Sequence, residues 1–271
     1  LIEMIEILSY QFMLYALIAS ILSGLSCSIL SNYIVLRKME FISDGAAHTA
    51  FGGIAVAIFF GWNMNLVSII TGILFAVFIY FVGKKGKISE NSLIGMLFPL
   101  SMALGVIIMN LKPGYTPEIE SYLFGDILMV NLTDIITLGI ILLSVIFFIT
   151  IFNKELKYFS YNERMAKIYG VPTELIRFLF LIAVALVVVT SVKIIGIILV
   201  TSMLITPGVI AKLWAKSINQ MVIISSIFGL LSSFLGIYFS YYLDIPSGPS
   251  IVVLLFIFFL INYFLKKLIK A

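Results

Sequence analysis

The sequence predicts an all-α protein that crosses a lipid bilayer eight or nine times. Three observations lead there. First, 62% of the 271 residues are hydrophobic and only 11% are charged, whereas a soluble chain is about half apolar and about a quarter charged. A water-soluble domain of this composition would expose apolar patches large enough to drive aggregation. Second, the apolar residues fall in runs close to the roughly 20 residues that a helix needs to span the hydrocarbon core. Third, the basic residues gather in alternate loops between those runs, the asymmetry that orients membrane helices.

In order, the runs cover about 9–31, 44–61, 64–83, 92–111, 127–151, 176–193, 195–214, 219–243 and 247–265. The sixth and seventh are short and nearly fused, so the count is eight if one of them is re-entrant. The first run carries a small residue at every fourth position, Ala16, Ser20, Gly24 and Ser28, and the second does the same with Gly45, Thr49, Gly53 and Ala57. Such rows let helix backbones approach closely, so both helices are expected inside the bundle. The last run lacks this row and ends in aromatic and basic residues, which suits a lipid-facing helix. Pro207 lies inside the seventh run and is expected to break it. No soluble domain is left over. Residues 1–271 read as a single transmembrane domain whose longest loop on the basic side is about 152–175.

With the first helix running inward, 15 of the 17 Lys and Arg lie on the inner side, and only Lys112 and Lys193 lie outside. The N-terminus is therefore expected outside and the C-terminus in the cytoplasm. The outer side is acidic, with Glu3, Glu6, Glu118, Glu120, Asp126 and Asp244. An acidic mouth concentrates cations, although ordinary loop solubility asks for the same residues. Positive charge scattered over short loops gives no nucleic-acid surface. The first residues show no basic region or cleavage site, so no signal peptide is expected. Cys27 is the only cysteine, which excludes an internal disulfide or a cysteine-based metal cluster. It sits among small residues and reads as packing.

The one histidine, His48, follows Asp44 by four residues. On a helix this spacing puts both on one face. Asp and His are ligands for Zn²⁺, Mn²⁺ or Fe²⁺. Two ligands make a loose site, which suits a path that must also release the ion. An aspartate at the centre of a membrane helix costs about 2.5–3.5 kcal/mol, and less near an end, where the run boundary places Asp44. The plain alternative is an Asp–His hydrogen bond or an N-terminal cap. Around Asn162–Gly170 the inner loop reads as a short amphipathic helix closed by a glycine, with Met165, Ala166, Ile168 and Tyr169 as an apolar contact face. A surface helix at the headgroups has the same pattern. The chain has no Walker Gly-x-x-x-x-Gly-Lys-Ser/Thr, no Gly-x-Ser-x-Gly and no His-Glu-x-x-His, so it carries none of the ATP-binding or hydrolase signatures.

Five stretches in order carry a family resemblance. They are Val-Leu-Arg-Lys-Met-Glu-Phe-Ile-Ser-Asp-Gly-Ala-Ala-His (35–48), Ser-Tyr-Leu-Phe-Gly-Asp (121–126), Asn-Glu-Arg-Met-Ala-Lys-Ile-Tyr-Gly (162–170), Val-Lys-Ile-Ile-Gly-Ile-Ile-Leu-Val (192–200) with Ile-Thr-Pro (205–207), and Pro-Ser-Gly-Pro-Ser-Ile-Val (246–252). On these the chain resembles the membrane permease subunit of bacterial ABC importers for zinc, manganese or iron. The resemblance implies a fold similar to that of the corrinoid and siderophore importer permeases. It also implies a homodimeric pore, two cytoplasmic ATP-binding subunits that do the hydrolysis, and an extracytoplasmic metal-binding protein. It further implies that no cofactor is permanently bound and that the transported ion is Zn²⁺ or Mn²⁺ first, with iron as a further option.

The positions matching the family's pore ligands are Asp44 and His48. Those matching its coupling helix are Glu163, Arg164, Ala166 and Gly170, with Asn162 standing where the family commonly has Asp and Met165 as a further departure. Glu118, Glu120 and Asp126, on the acidic outer side, are candidate residues for docking the external protein. The resemblance implies location in the bacterial inner membrane. Two other readings stay open from the residues: a siderophore or corrinoid permease, and an intramembrane enzyme using Asp44 and His48 as an acid–base pair.

Overall fold

The computed structural model describes residues 10–84, 88–111, 125, 127 and 130–270. These residues form eleven helices: α1 (Gln11–Arg37), α2 (Ile42–Phe60), α3 (Met64–Lys84), α4 (Glu90–Leu111), α5 (Leu132–Ile151), α6 (Asn153–Tyr161), α7 (Glu163–Ile168), α8 (Thr173–Ile195), α9 (Ile197–Trp214), α10 (Ile218–Leu243) and α11 (Ser247–Lys270). Among the described residues, nine are long and apolar enough to cross a membrane. The short α6 and α7 fill the predicted 152–175 loop. The sixth and seventh runs are separate helices, each long and apolar enough to span.

The two helices with the predicted small-residue rows are buried ones, although α8, with no such row, is as buried as α1 at 61%. Over its spanning window α2 is 72% buried, whereas α11, with no such row, is 22% buried. The interior α1 packs on α5, α8, α9 and α10. Its serines and glycines bring backbones together: a Cβ at Gly229 of α10 would stand 2.0 Å from Ser28 Oγ. Two buried polar ties cross the same interior. Asn32 Nδ2 donates to Ser225 Oγ at 2.7 Å, and Ser23 Oγ to Ser191 Oγ at 2.8 Å. In a membrane each such bond contributes on the order of 0.6 kcal/mol, so packing supplies more of the cohesion than they do. Cys27 is fully buried in this core.

Pro207 does not break its helix. It lies inside a continuous α9, buried, and a Cβ at neighbouring Gly208 would lie 2.7 Å from the Ser31 carbonyl of α1. Packing of this kind lets membrane helices keep a proline. The chain breaks instead at Gly196, between α8 and α9, with φ 83° and ψ 161°, a region essentially reserved for glycine. Gly125 (φ +72°) lies against this turn, where a Cβ would meet Gly196 N at 2.3 Å. Gly125 and the Gly196 turn thus touch. Beside them Lys193 Nζ reaches Asp134 Oδ1 at 3.1 Å, and Asn131 and Asp134 form a capping box that starts α5.

Candidate functional site

Asp44 stands in the first turn of α2, where a carboxylate complements the helix dipole. It is not a cap: Phe41 holds that position, with no side-chain cap bond. From Ile42 to Ile58 every residue of α2 is buried except Asp44, His48, Thr49, Gly52 and Val56, which are half-exposed. Four of these five recur at every fourth position, so they form one open stripe along the helix. The rest of α2 is wrapped by α3, α4, α8 and α9.

Close contacts fix the stripe's register. A Cβ at Gly45 would lie 2.5 Å from Ile94, and one at Gly52 would lie 3.1 Å from the Ser101 carbonyl oxygen. Thr49 Oγ1 donates to the Gly45 carbonyl at 2.7 Å and lies 3.5 Å from Ser101 Oγ. The His48 imidazole meets Phe98 of α4 edge-on, with centroids 4.3 Å apart and planes at 68°. Among the described residues, Asp44 and His48 form no ion pair and no side-chain hydrogen bond with each other. The plain Asp–His bond is therefore not made. No cluster of three or more His, Cys, Asp or Glu forms among the described residues, so these offer the pair and no closed site. At about 1.5 Å per residue, His48 stands roughly 9 Å from the start of α2, in the half of the helix next to the α1–α2 turn.

At that same end α7 is started by Asn162, whose Oδ1 accepts from the backbone N–H of Arg164 and Met165 at 3.0 and 3.2 Å. Gly170, at φ +79°, follows the helix. The four residues predicted for docking divide between two faces. Arg164 and Gly170 are exposed, while Ala166 is fully buried and Glu163 is turned inward. The exposed face also holds Met165, Lys167, Ile168 and Tyr169. The spacing puts Glu163 and Ala166 on one face, because residues three apart share a face, but it does not show that this face turns inward.

Glu163 closes a charged clasp. Its carboxylate accepts from Arg37 Nη2 at 2.7 Å and from Arg177 Nη2. Arg177 also lies 3.5 Å from Glu90. Arg37 donates to the Phe159 carbonyl at 3.2 Å and stacks its guanidinium 4.0 Å above that ring. The clasp joins the end of α1, the loop helices, the start of α4 and the start of α8. Burial raises the Glu163 pKa, but the hydrogen bonds and charges of Arg177 and Arg37 outweigh it and hold the carboxyl below its usual range. Sequence reading did not find the clasp, since Arg37 and Glu90 had no signal beyond loop charge. Glu118, Glu120 and Asp126 lie outside the described residues.

Residues 9–266 match the family model described as the ABC 3 transport family. Over 255 residues the chain is 39% identical to a "Probable metal transport system membrane protein" of Thermotoga maritima, covering 94% of this chain and 90% of that one. It is 34% identical over 260 residues to the manganese transport system membrane protein MntC of Halalkalibacterium halodurans, covering 96% and 89%. Its structure resembles that of PsaBC from Streptococcus pneumoniae in complex with Fab, with a TM-score of 0.84, 32% identity, and coverage of 96% and 94%.

Proposed function

The chain belongs to the ABC 3 transport family, and from that premise we propose that it is the permease through which an ATP-driven importer passes a divalent transition-metal ion, manganese or zinc with iron as a further cargo, across the bacterial inner membrane. The observation that carries this reading is the half-exposed stripe Asp44–His48–Gly52–Val56 on a helix that is otherwise largely buried from Ile42 to Ile58, with two metal-type side chains that make no ion pair with each other. The chain itself hydrolyses nothing; ATP is used by separate subunits.

The remaining parts follow from that role. Residues 1–271 act as one permease domain with the arrangement shared by the corrinoid and siderophore importer permeases. A second copy faces the first, so two Asp44–His48 pairs supply four ligands to one ion. Two cytoplasmic ATP-binding subunits engage the exposed face of α7 at Arg164, Met165, Ile168 and Tyr169. An extracytoplasmic metal-binding protein delivers the ion to the acidic side, at Glu118, Glu120 and Asp126. The basic end with α7 is cytoplasmic, the N-terminus is outside, and the C-terminus is inside. Deprotonated carboxylate and neutral imidazole hold the ion while the pair of permeases faces outward. ATP-driven movement of α7 then changes the separation of the two pairs and weakens their hold, because transport against a gradient requires different affinity in the two facing states.

The stripe is tested by chemical modification. In a Cys27→Ala background, Val56→Cys reacts with a small cationic thiol reagent and uptake stops, whereas buried Ile54→Cys on the same helix is unreactive. Full uptake by modified Val56→Cys would remove this face from the ion's path.

A further inference from the structure

The end of the bundle that holds α7 carries two kinds of basic residue. Arg37, Lys84 and Arg177 each pair with a carboxylate. Lys212, Lys216, Lys266 and Lys267, at the ends of α9, α10 and α11, make no ion pair among the described residues. Sequence explains why: Asp244 is the only acidic residue after Glu174, and it closes the opposite end of α10.

Within this uncompensated corner lies a pocket of about 430 Å³ lined by Trp214, Lys216, Gln220, Ile223 and Ile224. Its wall is fixed. Trp214 Nε1 donates to Asn262 Oδ1 of α11 at 2.9 Å, and the Lys266 ammonium stands 4.8 Å from the centre of the indole ring. Gln220 Oε1 accepts from the Lys216 backbone N–H at 2.8 Å, which leaves the Gln220 amide NH₂ as a further donor at the mouth. Beyond the mouth the lining turns apolar. Ile223 and Ile227, one turn apart on α10, are 61% and 48% exposed, and the strip continues along the helix to Leu230 and Leu231. A basic mouth with an indole wall, opening onto an exposed apolar strip, matches an amphiphile with an anionic head. Basic pockets between helices at a membrane surface take phospholipid headgroups for this reason, and tryptophan settles at the same depth.

We propose that this pocket binds one anionic phospholipid, its phosphate at Lys216 beside the indole that also carries Lys266, and an acyl chain along Ile223 and Ile227. A free phosphate would use the mouth and leave the apolar strip uncovered. The lipid would tie α9 to α10 and α11 at the end where α7 is held.

The test uses the full chain with Trp62→Phe, which leaves Trp214 as the only one of the two tryptophans. Purified in neutral detergent, it is titrated with phosphatidylglycerol or phosphatidylcholine brominated high on the acyl chains, and quenching of Trp214 is read. Phosphatidylglycerol should quench at a mole fraction about five-fold or more below phosphatidylcholine, from the contribution of a lysine to anionic-lipid attraction. Combining Lys216→Gln with Lys266→Gln should bring the two lipids together, and millimolar inorganic phosphate should leave the quenching unchanged. Both lysines are at the surface, so helical content in the double variant is checked by circular dichroism. Equal quenching by the two lipids in the parent chain, a preference that survives the double variant, or displacement by inorganic phosphate would each overturn the proposal. None of these readouts involves transport.

Discussion

Arg37 and Glu163 meet at 2.7 Å although they stand 126 positions apart in the chain. The contact fastens α7 to the last residue of α1. Lys38, the next residue, turns the chain in the left-handed region at φ 56°, and its carbonyl accepts from Asn91 Nδ2 at 3.1 Å. Asp44 follows within the first turn of α2. The loop helix and the ligand stripe are thus joined through one short, well-fastened turn, and α4, which supports His48 through Phe98, is fastened to the same clasp by Glu90.

Loss of the clasp should separate ATP hydrolysis from uptake. Glu163→Ala removes two charge-assisted bonds, each of which contributes about 1.5–3 kcal/mol, and leaves Arg37 and Arg177 facing each other. In proteoliposomes containing the complete importer, ATP hydrolysis should persist while metal moved per ATP falls several-fold. An unchanged ratio would show that the clasp only holds the fold together.

The clasp also predicts an acid-sensitive stability. The Glu163 carboxyl is held below its ordinary value of 4.5, so the stability it contributes is complete above that value and is lost as pH falls through the lower folded-state pKa. Thermal unfolding of the parent chain and of Glu163→Gln should differ by a constant amount above about pH 5, and the gap should close in more acid solution. A gap that persists unchanged into strong acid contradicts the charged clasp.

The two faces of α7 should behave differently. Ile168→Asp and Met165→Glu alter exposed side chains, so they should leave thermal stability within about 0.5 kcal/mol while weakening co-purification of the ATP-binding subunit. Ala166→Leu overfills a fully buried position and should cost about 1–3 kcal/mol. Equal loss of partner binding from the buried and exposed substitutions, at equal stability, would contradict this division.

Much of the membrane architecture was legible because lipid imposes a length and a composition on each segment. The nine runs map onto the nine helices of spanning length among the described residues, and the rows through Ala16–Ser28 and Gly45–Ala57 marked two of the buried ones. Boundaries were less legible. The α1 helix continues to Arg37, past the apolar run, because its polar end is buried in the clasp instead of exposed to water. Pro207 misled for a related reason: sequence shows the missing N–H but not the neighbour that packs against the helix. Asp44 and His48 were singled out as a pair by their spacing. What sequence could not show is that the rest of α2 is covered, which depends on four other helices. The division of Glu163 and Ala166 from Arg164 and Gly170 was hidden for the same reason, since a periodic pattern does not say which face turns inward.

The central claim is that Asp44 and His48 hold the ion on its way through. The most direct measurement is ATP-driven uptake of radioactive manganese or zinc by proteoliposomes bearing the complete importer, with His48→Ala and Asp44→Asn beside the parent chain. Both variants should assemble with the ATP-binding subunit and still hydrolyse ATP, yet uptake should fall to background. Assembled His48→Ala and Asp44→Asn importers that take up metal at the parent rate would contradict the account.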